Sequence, residues 1–223
     1  MVDNRLPTLQ HYAALQMSND GFWIDENHLL QGPTAITRLV YPEASKQELI
    51  IPRNQILHSN AGPKKTPWYS IFKYWDRSDI TGEPHFQVDM DGAIRQAIPL
   101  NRRADCNAKA NAWTYQGQRY GAVSYETQDD GADTLNQTPW TPEQLRSIVG
   151  AATALCVQYN MQCDTVTEWT DGGIDYHSKF KEWSIYVGKT CPGYARIQQV
   201  DWIRSQVASR VAAYHQKVAE LKL

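Results

Sequence analysis

The sequence has no long apolar run. Residues 1–7 contain no hydrophobic stretch of the kind that a signal peptide needs, and no segment approaches the roughly 20 apolar residues of a membrane-spanning helix. We therefore expect a chain that is made in soluble form, does not enter a membrane, and needs another agent to deliver it if it acts outside the cytoplasm. Internal repeats and low-complexity tracts are absent too, and 223 residues are within the range of one domain.

An excess of charge of either sign is also lacking. Lys and Arg number 22 and Asp and Glu number 24, which gives a net charge of -2. Such a chain has no electrostatic means of capturing nucleic acid or an anionic membrane. Phenylalanine is scarce (4), whereas tryptophan (8) and tyrosine (12) are abundant. Indole and phenol rings combine an apolar face with a polar tip, which suits sugar and peptide surfaces, although many such rings belong to the core.

Cysteine is too rare for a dense disulfide framework, since there are four in a chain of this length. Cys156 lies in an apolar helical pattern and is expected to behave as a small buried hydrophobe. Cys191 lies in a loop at residues 188–193, and loops held by a rigid scaffold are where metal ligands and catalytic groups tend to occur.

Short apolar runs predict several strands. Residues 55–58 form a buried run that ends at His58, and residues 121–126 form another. Residues 85–89 alternate between apolar and polar side chains, as in a strand. Asp91-Gly92 then predicts a hairpin turn, after which residues 93–98 return as the paired strand.

Three segments predict helices. Residues 67–76 place aromatic and apolar side chains at spacings of three and four. Thr141, Pro142 and Gln144 form a helix start with a capping box, followed by an apolar face that reaches Tyr159. A last helix is predicted from about Ile197, and its buried stripe consists of Val200, Ile203, Val207, Val211, Tyr214 and Leu221.

These elements predict an α/β fold with a single mixed central sheet flanked by helices, because helices and strands alternate while one hairpin is antiparallel. Residues 1–35 are interpreted as an N-terminal lead-in or linker with one short helix near residues 11–16. Gly32-Pro33 marks its end. Residues 36–223 are the predicted domain.

Two histidines and one cysteine are candidate metal ligands. His58 closes the first strand, His177 follows a Gly-Gly turn, and Cys191 lies in the loop before the last helix. Two imidazoles and one thiolate make a chemically sensible zinc site with a fourth position left for water. As a bare pattern the set is weak, because His58 lies more than a hundred residues upstream and a histidine at a strand end is more often structural.

Five short blocks of the sequence form a recognisable series: residues 56–62 (ILHSNAG), 84–88 (PHFQV), 123–127 (VSYET), 176–177 (YH) and 189–193 (KTCPG). These blocks resemble the zinc-dependent N-acetylmuramoyl-L-alanine amidases, a family that includes phage lysozyme-type amidases and peptidoglycan recognition proteins. The resemblance spans roughly residues 36–205, with its blocks in the order of the family. The segment from Tyr176 to Trp183, with the loop that follows it, is similar to endolysins of phages that infect actinobacteria.

The resemblance implies a role for each matching position. His58, His177 and Cys191 correspond to the ligands of a Zn²⁺ ion. Glu126 corresponds to the acidic residue that activates the attacking water, and Lys189 to the basic residue that stabilises the oxyanion. The implied reaction is hydrolysis of the amide bond between N-acetylmuramic acid and L-alanine in bacterial peptidoglycan. The implied setting is a monomeric phage endolysin that reaches the wall of its host through a holin-made lesion and lyses the cell.

Two departures from the family pattern affect these expectations. Pro84 stands where many relatives have a tyrosine, so Glu126 is left to carry the acid–base chemistry. The segment at residues 178–190 is longer than in short relatives, and its aromatic side chains are expected to wall the cleft and influence substrate choice. These side chains are Phe180, Trp183 and Tyr186.

Several assignments stay open. His85 is either an outer partner of a ligand or of Glu126, or a hydrogen-bonded histidine inside the sheet. The polar loop residues Asp105, Asn107 and Asn111 are candidates for substrate contacts. Two alternative functions are a cysteine hydrolase that uses Cys191 with His177, and a peptidoglycan-binding module without catalysis. Chelation separates the cysteine hydrolase from the zinc enzyme, because a cysteine hydrolase survives it.

Overall fold

The computed structural model describes residues 14–15, 18–39, 47–60, 66–77, 82–129, 138–185 and 190–220. The strands in this part of the chain are β1 (Trp23–Ile24), β2 (Leu30–Gln31), β3 (Ala35–Thr37), β4 (Ile51–Ser59), β5 (Phe86–Val88), β6 (Ile94–Gln96), β7 (Trp113–Tyr115), β8 (Gln118–Thr127) and β9 (Gly173–Tyr176). The helices are α1 (Trp68–Trp75), α2 (Pro142–Tyr159), α3 (Tyr194–Ile197) and α4 (Val200–Glu220), with 3-10 turns at Ala108–Asn111, His177–Lys179 and Lys181–Trp183.

The main sheet is mixed. Its strand order is β3-β6-β5-β8-β4-β9, and β7 adds to β8. Strand β4 pairs in parallel with β8 and β9, and β5 pairs in parallel with β8, whereas β5 and β6 are antiparallel. The carboxyl ends of β4, β8 and β9 therefore meet at one edge of the sheet. The predicted α/β fold with a mixed central sheet and flanking helices is confirmed.

Helices α2 and α4 supply the side chains of the main core together with the central strands. Helix α2 begins as predicted: the Gln144 backbone N–H donates to Thr141 Oγ1 at 3.0 Å, and the Thr141 N–H donates to Gln144 Oε1 at 3.1 Å. It ends at Asn160, whose left-handed conformation (φ 51°) breaks the helix. Cys156 is buried in this helix, as expected of a small hydrophobe.

The last helix also agrees with its predicted stripe. Val200, Ile203, Val207 and Tyr214 are buried, and Val211 packs partly buried against the same core. Leu221 lies outside the described residues. The short helix α3 precedes α4, so the predicted start near Ile197 falls at the junction between the two. Among the described helices, none is long and apolar enough to span a bilayer.

Turn residues explain which strands were predictable. The Asp91-Gly92 turn joins β5 to β6, and the Gly92 N–H donates to the Asp89 carbonyl at 2.9 Å with φ of 84° at Gly92. Strand β7 was not predicted. It forms a second hairpin with β8 through Gln116 and Gly117, both at positive φ (47° and 75°). This hairpin extends β8 back to Gln118.

The segment before residue 39 packs on the domain. Phe22, Ile24 and Leu30 are buried in the main core, and β3 pairs with β6 at the edge of the sheet. The Asn19 side chain donates to the Gly150 carbonyl at 2.8 Å, which anchors the segment to α2. Ala14 and Leu15 are helical and buried, and the rest of the predicted helix at residues 11–16 lies outside the described residues. The boundary proposed at residue 35 stays a prediction.

Candidate metal and catalytic centre

Strand register brings the candidate residues together at the carboxyl edge of the sheet. His58 on β4 lies directly opposite Glu126 on β8. On the other side of β4, Leu57 lies opposite Tyr176, the last residue of β9, so that His177 follows at the same edge. Cys191 comes from the loop before α3. Its carbonyl accepts hydrogen bonds from the backbone N–H and hydroxyl of Ser178, which is next to His177, at 3.0 and 2.8 Å.

The three predicted ligands converge. One ligand atom each of His58, His177 and Cys191 lie within 4.8 Å of one another. The two imidazole rings have their centroids 4.1 Å apart at an angle of 31°. The Ser59 backbone N–H lies 3.4 Å from Cys191 Sγ, a contact that favours a thiolate. The set is two nitrogens and one sulfur, the donors that zinc prefers.

Each imidazole is oriented by an acceptor on its far side. His58 Nε2 lies 2.7 Å from Asn107 Oδ1, and His177 Nε2 lies 2.7 Å from the Trp183 carbonyl oxygen. Because carbonyl oxygens only accept, each Nε2 carries the hydrogen and each Nδ1 keeps its lone pair. Burial, with the neighbouring His177, lowers the pKa of His58 well below its usual value. A histidine that donates from one ring nitrogen to a carbonyl oxygen and offers the other to the metal is the usual arrangement at a zinc ion.

Glu126 lies next to this set. Its Oε1 is 3.6 Å from His58 Nδ1, and its Oε2 is buried without a hydrogen-bond partner among the described residues. The pKa of Glu126 is raised to about 8, chiefly by burial and also by the nearby charge of Asp129, while Arg196 opposes the shift. A carboxyl group in this environment has a high proton affinity, which is what a general base requires.

A cleft of about 280 Å³ opens beside Glu126. It is lined by Asn60, Thr66, Ser70, Ile71, Tyr74, Trp75 and Glu126. Helix α1 therefore forms one wall, and the turn after β4 forms part of the other. The Asn60 Nδ2 is buried and has no hydrogen-bond partner in the described part of the chain. The lining of the cleft thus includes an amide donor and a carboxyl group, each with a buried polar atom that lacks a partner in the described residues.

The remaining predicted residues have different places. Lys189 lies outside the described residues, so its role stays a prediction. Asn107 is fully buried and holds His58, which leaves it no surface for substrate. Asn111 Oδ1 accepts from the Asn107 N–H at 2.6 Å, and Asp105 pairs with Arg103 at 3.1 Å. These two side chains hold the loop that presents Asn107.

The aromatic segment after His177 packs inward. Trp183 is fully buried, and its ring contacts that of Phe180 with centroids 4.8 Å apart. The Trp183 indole N–H donates to the Trp169 carbonyl at 3.0 Å, while its own carbonyl accepts from His177. In its described part, this segment positions a ligand instead of walling the cleft. Tyr186 lies outside the described residues.

His85 is a buried histidine inside the sheet. Its Nε2 donates to the Arg102 carbonyl at 2.8 Å, and its Nδ1 accepts from the Ser124 backbone N–H at 3.2 Å. Burial lowers its pKa to about 4. These contacts involve neither a predicted ligand nor Glu126, and they agree with the structural interpretation of His85.

Three features of the site were not assigned from the sequence: the carbonyl of Trp183, the amide of Asn60 in the cleft, and the thiol of Cys106 close to Glu126. Asn60 follows His58 by two residues in a polar turn, which was a local signal. Trp183 lies only six residues after His177, but its contribution is a backbone carbonyl, which side-chain patterns do not mark. Cys106 lies 48 residues from His58, so no local spacing could have identified it.

Solved structures with a similar fold include N-acetylmuramoyl-L-alanine amidases. An N-acetylmuramoyl-L-alanine amidase from Clostridium intestinale shares 18% identity, covers 79% of this chain and 98% of its own, and superposes with a TM-score of 0.53. A second amidase from that organism, described as an endolysin, has 18% identity, coverage of 82% and 98%, and a TM-score of 0.52. The Staphylococcus aureus hydrolase AmiA, in complex with its ligand, has 12% identity, coverage of 97% of both chains, and a TM-score of 0.57.

The fold of these amidases is thus combined in this chain with a centre in which His58, His177, Cys191 and Glu126 lie together. Residues 50–194, which are 145 of the 223 residues, match the family model of N-acetylmuramoyl-L-alanine amidases, and the chain belongs to this family. A search of curated protein sequences gave no significant match. The predicted family, fold and amidase activity are thereby confirmed.

Proposed function

We propose that this amidase is zinc-dependent, that His58, His177 and Cys191 hold the ion, and that Glu126 performs the acid–base chemistry. The bond cleaved is the amide between the lactyl group of N-acetylmuramic acid and L-alanine in bacterial peptidoglycan. The observation that carries the proposal is the convergence of two imidazoles and one thiol within 4.8 Å, beside a buried carboxyl group that lines a cleft.

When bound, zinc would act as a Lewis acid on the scissile carbonyl and would lower the pKa of the attacking water. In this proposal, Glu126 takes a proton from that water and passes it to the leaving amine nitrogen. Its Oε2 is buried and has no hydrogen-bond partner among the described residues, so a bound water or substrate atom would satisfy it. The resemblance assigns oxyanion stabilisation to Lys189.

The cleft has the composition that a glycopeptide requires. The exposed ring of Tyr74 offers surface to the apolar face of a sugar or to a peptide backbone. Asn60 and Ser70 offer hydrogen-bond donors and acceptors to amides and hydroxyls. A substrate amide placed between Asn60 and Glu126 would satisfy two buried polar atoms that otherwise lack partners in the described chain.

The experiment is digestion of purified bacterial cell walls, in which new amino-terminal L-alanine is measured against new reducing sugars. The proposal predicts free alanine amino groups without reducing ends, loss of this activity with a chelator, and recovery when zinc is added back. Activity that persists in the presence of the chelator would instead assign the reaction to a cysteine hydrolase that uses Cys191 with His177. If the protein bound the walls without cleaving them, it would be a peptidoglycan-binding module without catalysis.

We further propose that the protein works as a phage endolysin, made in the host cytoplasm and released to the wall by a holin. The second Clostridium intestinale amidase, an endolysin, supports the endolysin role because its fold is similar. Expression in a susceptible bacterium with and without a holin tests it. The proposal requires lysis only when the holin is present, and lysis without the holin would overturn it. Action as a monomer and an actinophage origin stay part of this proposal.

A further inference from the structure

A second set of metal-binding side chains adjoins the amidase centre. Cys106 lies in the loop before the 3-10 turn at Ala108–Asn111. One ligand atom each of His58, Cys106 and Glu126 lie within 4.8 Å of one another. The set shares His58 with the proposed zinc site, while Cys106 has no part in the proposed reaction.

The three donors are chemically suited to a zinc ion, with a fourth position left for water. An imidazole nitrogen, a thiolate and a carboxylate oxygen all bind zinc, at about 2.0 to 2.3 Å. Tetrahedral coordination at these lengths places ligand atoms roughly 3.3 to 3.8 Å apart. Side chains within 4.8 Å reach such spacing through small rotations, and His58 Nδ1 and Glu126 Oε1 are already 3.6 Å apart.

The two metal positions cannot be filled at the same time, because both use the same ring nitrogen of His58. Asn107 occupies His58 Nε2, so Nδ1 is the nitrogen left for a metal in either set. An ion held by His58, His177 and Cys191 leaves Glu126 free. An ion held by His58, Cys106 and Glu126 uses the carboxylate as a ligand, and therefore removes it from proton transfer.

We propose that His58, Cys106 and Glu126 form an alternative, non-productive position for a soft or borderline divalent cation such as Zn²⁺ or Cd²⁺. One ion occupies either this position or the productive one. Binding there displaces the thiol proton of Cys106 to solvent and involves no redox change. The inhibitory consequence rests on the proposed role of Glu126, whereas the existence of the position does not.

The test removes the thiolate of the productive set and titrates the full-length protein with cadmium chloride. In Cys191→Ser, we expect the near-ultraviolet absorbance of a cadmium–thiolate bond to rise and saturate at about one equivalent, as one thiolate in one position requires. In Cys106→Ser/Cys191→Ser, this absorbance should be lost. Because absorbance is measured without turnover, the result is independent of whether the amidase proposal holds.

Cys163→Ser/Cys191→Ser is the matched control. The thiols of Cys156 and Cys163 contact each other and are the rival site for a soft ion. The proposal would be overturned if the cadmium–thiolate absorbance persisted in Cys106→Ser/Cys191→Ser or disappeared in Cys163→Ser/Cys191→Ser. It would also be overturned if Cys191→Ser showed no such absorbance. Circular dichroism checks the fold of each variant. If the Cys106 double variant does not fold, Glu126→Gln/Cys191→Ser takes its place. Its cadmium affinity should be lower than that of Cys191→Ser by more than about tenfold, which is the smallest loss expected when a residue that only orients a ligand is removed.

Discussion

Among single residues, Glu126 is the one whose loss should stop the chemistry and spare the metal. Glu126→Gln keeps the shape of the side chain but removes its proton affinity, so kcat for release of alanine amino groups should fall about 10²- to 10⁴-fold. Zinc content should not change, because the three proposed ligands remain. Glu143→Gln, at an exposed carboxyl in the first turn of α2, is the control and should keep full activity. Substantial activity in Glu126→Gln would remove Glu126 from the mechanism.

Asn107 is expected to act through His58. Its Oδ1 fixes the tautomer and orientation of the ring, so Asn107→Ala should weaken zinc binding by about 10- to 100-fold, the usual effect of losing such a partner. Asn107→Asp keeps the acceptor and should restore the affinity, a rescue that a purely structural role would not produce. Competition with a chromophoric chelator measures both values. Exposed Asn27→Ala serves as the control, and equal affinity in all four proteins would contradict the assignment.

For single residues, the sequence predicted the candidate metal ligands but not the residues that hydrogen-bond to them and orient them. His58, His177, Cys191 and Glu126 stand in blocks with a family resemblance, and the structure brings all four to one edge of the sheet. The hydrogen bond from His58 to Asn107 joins residues 49 apart in sequence. Such contacts depend on where loops fold back, which local pattern does not encode.

Among the elements, helix α2 offers a direct test of its capping box. Thr141→Ala removes the acceptor for the Gln144 N–H and also the hydroxyl donor to the Met90 carbonyl. We expect a loss of about 1 kcal/mol in the free energy of unfolding, measured by urea denaturation. Ser209→Ala, in an exposed turn of α4, should change it by less than about 0.5 kcal/mol. Equal effects of the two substitutions would mean that the cap is not formed in solution.

His85, which directly precedes strand β5, should make the free energy of unfolding depend on pH. Its folded pKa of about 4 lies below the usual 6.5, so between these values the unfolded chain binds a proton and the folded chain does not. Stability should therefore fall by about 3 kcal/mol as pH drops from 6.5 to 4, and this contribution should be constant below that window. The measurement is urea denaturation of metal-free native protein and His85→Gln across this range. A slope that is unchanged in the variant would contradict the prediction.

Local signals explain which elements the sequence predicted. The Asp91-Gly92 turn and the Thr141–Gln144 cap each depend on residues within four positions, and both were predicted correctly. The Gln116-Gly117 hairpin was missed because glutamine carries no preference for the positive φ that it adopts there. Strand order could not be predicted, since the pairing of β4 with β8 joins segments more than sixty residues apart.

For the whole molecule, the segment before residue 39 contributes to the same core as the sheet. Phe22 is buried against α2 at Gly150, where a Cβ atom would overlap the phenyl ring. The glycine therefore creates the space that the ring fills, although glycine inside a helix costs about 0.5 to 1 kcal/mol relative to alanine. This contact makes the segment part of the folding unit, so that its loss should affect the stability of the catalytic edge.

A double-mutant cycle tests this arrangement. Phe22→Ala should destabilise the protein by about 3 to 5 kcal/mol, and Gly150→Ala by about 1 to 3 kcal/mol because of overpacking. In the Phe22→Ala background the space is empty, so Gly150→Ala should become stabilising through its better helix propensity. Phe72→Ala, in a separate cluster under α1, is the control background in which Gly150→Ala should keep its cost. Urea denaturation gives all the values. If the two substitutions at positions 22 and 150 were additive, Phe22 would not occupy the Gly150 site in solution, and the segment would be an appendage to a domain that begins after it.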